Sequence, residues 1–232
     1  MPPSPRLSGR RSSVRRAAVP KIPTALVTAL DIEDEGVYRA SGFNAVDLSD
    51  RRIRAVEIEC SRLTSVDLSG AHLASAMFSD VTIEASNLSN LRATRSSLLR
   101  VEVSACRMTG AAWSQGRLRD AVFSDCRLDM SNFRGTKMTT TVFTQCNLSS
   151  AVFQDADLRG AVFEDCNLTG AQLSRANMDG TRLHACELSG ISGITSMSGA
   201  RVMTGDLIGL AYSLAAALGI QVVDDETESD RQ

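Results

Sequence analysis

The chain has 232 residues with 25 basic and 27 acidic side chains, a net charge of −2 that is ordinary for one domain plus tails. No run approaches the 18 apolar residues that a membrane-spanning helix needs, so no membrane span is expected and no membrane among the partners. The basic start is not closely followed by an apolar segment of secretory type, so a cytoplasmic protein with reduced thiols is expected.

Residues 1–22 hold Pro2, Pro3, Pro5 and Pro20 together with Arg6, Arg10, Arg11, Arg15, Arg16 and Lys21, and no acid. Such a segment cannot bury a core and reads as a disordered basic arm, either solubilising or phosphate-seeking. Residues 23–40 read as a cap and linker, with a short helix over residues 24–30 that closes the N-terminal end of the central, repetitive body.

From Phe43 to Leu188 every fifth residue is apolar. Of these 30 positions 29 carry a large side chain, against about 13 expected from a 43% apolar composition. Only Ala93 is small. Two residues before each lies a second column, small or β-branched except at Arg51 and Leu91. A period of five fits neither a helix nor a strand, but it fits a solenoid whose sides take five residues and then turn a corner. Cys106, Cys126, Cys146, Cys166 and Cys186 recur every 20 residues, and so do Phe123, Phe143 and Phe163, so four sides make one coil. At about 4.8 Å per stacked strand, residues 41–190 predict a rod about 34 Å long. The swap at Leu91 and Ala93 roughly conserves core volume, and Arg51 can snorkel from its inward slot.

Residues 191–223 predict a C-terminal cap and helix, with Thr204 as N-cap, Asp206 in the first turn and Gly219 as C-cap. Its apolar residues extend nearly all round. Leu207, Leu210, Leu214 and Leu218 are therefore candidates for dimerisation as well as capping. Residues 224–232 read as a disordered acidic tail.

Stretches such as AVFQDADLRGAVFEDCNLTGAQLSRANMDG resemble the pentapeptide-repeat family, whose unit is roughly A-(D/N)-L-x-x. The resemblance covers about 150 residues and implies an all-β solenoid, a right-handed quadrilateral β-helix, here followed by a C-terminal α-helix. Some family members bind type II topoisomerases as mimics of duplex DNA and confer fluoroquinolone resistance. The unbroken repeats are most similar to the loopless members of that kind, and gyrase-binding members pair through an apolar C-terminal helix.

Chemistry is hard to place on this pattern. A straight line of thiols cannot surround a zinc ion tetrahedrally, and Cys packs as a small hydrophobe interchangeable with Ala, Ser, Thr and Val. Cys60 is outward and is the thiol expected to react. His72 and His184 lack ligand-spaced partners, and no phosphate loop or nucleophile elbow occurs. No catalytic residue, metal or cofactor is expected, nor a small-molecule substrate.

The outside of the rod remains. Two adjoining faces lean acidic, with Asp47, Asp67, Glu102, Asp125, Asp129, Glu164 and Asp165 as candidates for a basic protein partner. A third leans basic, with Arg52, Arg54, Arg92, Arg95, Arg134 and Arg175. Duplex DNA 34 Å long would carry about 20 negative charges. The repeat body carries 17 acids and 16 bases, so only one-sided mimicry is consistent with it. The expected function is a non-enzymatic interaction scaffold. The alternatives are a DNA-mimicking gyrase modulator and, more weakly, nucleic-acid binding through the arginine face, which lacks interleaved aromatics.

Overall fold

A computed structural model describes residues 17–222. The proline-rich start, residues 1–16, and the acidic tail lie outside the described residues.

The chain winds as a parallel β-solenoid. Through the repeat body strands pair at a spacing of 20 residues: Ile58, Phe78, Leu98 and Leu118 stack in one line, and Leu63, Ile83, Val103 and Phe123 in another. The last of these lines continues through Phe143, Phe163 and Leu183. Short strands such as Val162–Glu164 form single sides, while Glu57–Thr64, Met77–Glu84, Ser97–Ser104 and Arg117–Ser124 run on through a corner.

Every fifth backbone turns with positive φ, and most of these corners are not glycine: Ala45, Asp50, Cys60, Arg95, Gln115 and Met130 all lie between 50° and 59°. A left-handed conformation costs roughly 1–2 kcal/mol for an L-residue. Here it is offset because the corner N–H still donates to the next coil, as Asp50 does to the Ser69 carbonyl at 2.8 Å. The apolar columns between the corners are sealed from water, each large side chain contributing about 1.5–3 kcal/mol.

The small column does more than fill space. Ser86 Oγ accepts the Val66 N–H at 3.0 Å and donates to the Glu84 carbonyl at 2.9 Å. Ser96, Thr136 and Thr181 donate to the carbonyls of Leu73, Trp113 and Leu158, each 23 residues back. Cys126, Cys146, Cys166 and Cys186 make the same contact through sulfur at 3.4–3.5 Å. Thiol and hydroxyl are interchangeable because both satisfy the same carbonyl.

The ends depart from expectation. Residues 24–30 form no helix. Val27–Thr28 is a strand laid parallel on Ser41–Gly42, because the exposed first coil offers unpaired strand groups that an extended segment satisfies and a helix cannot. Regular stacking also begins before residue 41, since Val37–Arg39 already pairs with Glu57–Glu59. Ile32, 1% exposed, plugs the first coil. Arg51 turns outward as expected, its guanidinium meeting Asp31 at 3.1 Å and the Ile32 carbonyl at 3.3 Å.

At the far end a 3-10 turn, Thr204–Asp206, leads into the helix α1, Leu207–Ala217. Thr204 does not cap it. Asp206 lies 20 residues beyond Cys186, and its carboxylate accepts the Cys186 N–H at 3.1 Å, ending the thiol column with an acceptor. Gly219 comes just after the helix at φ 71°, the left-handed stop expected there.

Candidate functional site

The acids singled out by sequence fall into two groups. Asp47 and Asp67 serve their own turns, accepting the N–H of Ser49 and Ser69 at 2.9 and 2.8 Å. The bond with Ser49 holds the Asp47 carboxyl below its usual range. Burial works against Asp67, but bonds from Ser69 and from the Asn87 amide outweigh it, and its pKa also falls. Asp129 accepts from Thr109 Oγ1 at 2.9 Å. Glu102 is half-buried, whereas Asp125, Glu164 and Asp165 are exposed and form no ion pair among the described residues.

The arginine face is half neutralised. Arg54 pairs with Asp34 at 3.2 Å, and Asp155 takes both Arg175 at 2.6 Å and Arg134 at 3.6 Å. Arg52, Arg92 and Arg95 are exposed without an acid at salt-bridge distance among the described residues. Sequence reasoning missed Asp31 and Asp34 as partners because they lie before the repeats. The signal was present nonetheless: Asp31 and Arg51, Asp34 and Arg54, Asp80 and Arg100, and Asp155 and Arg175 are each 20 residues apart, which places opposite charges on neighbouring coils.

Charge is also sorted along the rod. Residues 41–90 carry seven acids and four bases, residues 91–140 four acids and nine bases, and residues 141–190 six acids and three bases. The middle third is a basic waist between acidic lobes. Within it, Arg107 lies directly beside Arg127, and Arg117 beside Lys137. Arg107 and Arg127 occupy the centre of the side that holds Asp47 and Asp67, so that acidic face is interrupted rather than continuous.

Two carboxylates, Asp80 and Asp120, are buried, and the first ties down the start of the described chain. Asp80, 7% exposed, accepts from Arg100 Nε at 2.8 Å and from the main-chain N–H of Lys21 at 3.0 Å, tying the incoming segment to the side of the rod.

Along α1, Leu210 is 4% exposed and seals the last coil, so this member of the expected dimerisation set faces inward and serves the cap. Leu207, Leu214 and Leu218 are exposed, joined by Ile208 and Tyr212 at 80% and 70%. Gly209 lets the helix approach Glu187–Ser189, where an added Cβ would stand 3.3–3.4 Å from three atoms. An open groove of about 610 Å³ runs there between Glu187, Ser189, Asp206, Ile208 and Tyr212.

The five column thiols are buried and free, while Cys60 is half-buried at its corner. For Cys106, Cys146 and Cys186, bonding to the adjoining thiol and burial push the pKa up, which keeps them protonated and unreactive. Among the described residues no cluster of His, Cys, Asp and Glu could hold a metal ion, and no helix is long and apolar enough to cross a membrane.

Comparison with known proteins gives three results. No curated protein matches the chain. Solved structures do: HetL, a pentapeptide repeat protein involved in heterocyst differentiation regulation from the cyanobacterium Nostoc sp. strain PCC 7120, is 16% identical over 80% of this chain and 89% of its own, with a TM-score of 0.43. Full-length QnrB1, a plasmid-mediated fluoroquinolone resistance protein, is 21% identical over 84% of this chain and 98% of its own, with a TM-score of 0.39. Residues 96–173 match the family model for the pentapeptide repeat region. The match covers about a third of the chain, and the five-residue corners and 20-residue stacking register that it spans run on to either side of it, so the repeat body is similar to the pentapeptide repeat region in sequence and in winding.

Proposed function

We propose that the protein is a rigid, non-enzymatic interaction scaffold that presents its charged solenoid sides to a protein partner in the cytoplasm. The observation that carries this reading is the exposed, unpaired set Asp125, Glu164 and Asp165 on a side whose backbone is held by continuous ladder bonds. Side chains on such a frame are positioned before the partner arrives, so little ordering entropy is lost on binding. The test is a cross-linked pull-down with the wild type and with Asp125→Lys/Glu164→Lys/Asp165→Lys. A partner retained equally by both would refute the reading.

A second reading is favoured by the exposed apolar face of α1. It is a dimer joined through Leu207, Leu214, Leu218, Ile208 and Tyr212 that modulates a type II topoisomerase by one-sided DNA mimicry. The basic waist counts against mimicry along the full rod. A gyrase supercoiling assay, with and without a fluoroquinolone, decides it: inhibition or relief of drug-induced cleavage supports the reading, and no effect up to the highest soluble concentration refutes it. Sedimentation of Ile208→Glu/Leu218→Glu beside the wild type tests the dimer separately.

A further inference from the structure

We propose that the basic waist is a docking site for a flexible acidic polypeptide segment that runs around the rod. Its anchors are Arg107 and Arg127 on one side and Arg117, Arg119 and Lys137 on the opposite one. The proposal shares with the scaffold reading only that the partner is a protein. It concerns different sides and a partner of opposite charge, so either can fail alone.

The first support is the pairing itself. Cross-strand neighbours of like charge work against a sheet, yet two such rungs occur at the same height, Arg107 beside Arg127 and Arg117 beside Lys137. All four side chains are exposed. Of the acids nearby, Asp129 holds Thr109, Asp80 holds Arg100, and Asp157, the neighbour of Lys137 on the next coil, makes its short contact to Arg159 at 2.8 Å, while exposed Asp125 forms no ion pair with Arg127. Of the five anchors, Arg119 alone touches an acid among the described residues, Asp120 at 3.6 Å. Like charges also stack at Asp47 and Asp67, but there hydrogen bonds from Ser49, Ser69 and Asn87 occupy the carboxylates, whereas the cationic heads of the two waist rungs remain in solvent.

The second support is geometry. The two rungs lie on opposite sides of a four-sided rod, with Arg92 and Arg95 on the side between, one coil earlier. A straight rigid polyanion would meet one side only, and DNA with a persistence length of about 150 bp does not bend round so thin a rod. A ligand lying along the axis would also enter the acidic lobes. The ligand that fits is short, flexible and wrapped crosswise.

The third is the chemistry of the surface. Trp113, Phe123, Phe133 and Phe143 at this height are at most 2% exposed, so no aromatic platform exists for splayed bases. Guanidinium forks match carboxylates with two parallel bonds, and four of the five anchors are arginine.

The test is fluorescence anisotropy of a labelled poly-glutamate peptide titrated with the full chain at physiological salt. Arg107→Ser/Arg127→Ser and Arg117→Ser/Lys137→Ser should each weaken binding by about tenfold, from the loss of two exposed charge contacts. Arg62→Ser, on an exposed residue within an acidic lobe, should leave it unchanged. Circular dichroism checks that each variant keeps its β-structure. Absence of binding by the wild type, equal binding by the waist variants, an equal loss in Arg62→Ser, or tighter binding of a single-stranded oligonucleotide of matched charge would each overturn the proposal.

Discussion

Phe143 offers the sharpest test of what holds the rod together. It is fully buried, its ring stacked on Phe123 at 4.8 Å and on Phe163 at 5.0 Å, with Phe133 edge-on at 6.1 Å. Truncating a buried Phe to Ala costs about 3–5 kcal/mol, depending on how far the surroundings collapse. Collapse is restricted here, because ladder bonds fix the backbone on both sides at the strand spacing. The two stacked pairs add about 0.5–1.5 kcal/mol each. Phe143→Ala should therefore lie near the top of the range, at about 4–5 kcal/mol. Phe143→Leu keeps most of the volume but neither stack, and should cost about 1–2 kcal/mol. Guanidinium denaturation monitored by far-ultraviolet circular dichroism measures both. A loss below about 1 kcal/mol for the Ala variant, or equal losses for the two, would refute the reasoning.

Two other outcomes rest on single residues. The Arg100 guanidinium, opposed by burial and helped by the Lys21 N–H, holds the Asp80 carboxyl below its ordinary 3.8. A depressed carboxyl stabilises fully above its unfolded value and loses that contribution as pH falls through the folded one. The melting-temperature gap between the wild type and Asp80→Asn should thus be wide at neutral pH and close below about pH 4, and a gap constant with pH would contradict the pairing. Glycine corners should differ sharply among themselves. Gly160, at φ 72° with nothing within 4 Å of an added Cβ, should lose only about 1 kcal/mol on mutation to Ala. At Gly193 the same Cβ would run into the Ser174 backbone, with Cα at 2.7 Å, and the loss in chemical denaturation should reach about 3 kcal/mol.

Most of the fold was legible because the repeat is strict: inward columns, corners and the 20-residue coil are all set by spacing alone. Even the Leu91 and Ala93 exchange has its cause in the next coil. The register stacks Trp113, the largest side chain of the column, on Ala93, and Leu91 supplies the missing volume from the other slot. The entry segment was misread because Thr24–Leu30 has no feature that declares a strand. Its conformation is imposed by the open edge at Ser41–Gly42, a tertiary demand that no local pattern carries. For the surface, assigning residues to sides recovered the bias around the rod but averaged away the bias along it. Summing by face also concealed that Asp47 and Asp67 are committed to their own turns, and that Asp34 and Asp155 neutralise half the arginines.

The axial order of charge has a further physical consequence. Two negative lobes flanking a positive waist form a linear quadrupole, whose field falls off faster than that of a dipole and does not distinguish one end from the other. From the middle of the waist to the middle of either lobe is 50 residues, about 12 Å at the strand spacing. The Debye length is about 8 Å in physiological salt and about 30 Å at 0.01 M. In the first condition the three regions act separately, and an anion at the waist feels mainly arginine. In the second the lobes reach over it and cancel much of the attraction. Acidic ligands should therefore gain less from dilution of the salt than they would on a uniformly basic surface of the same local charge.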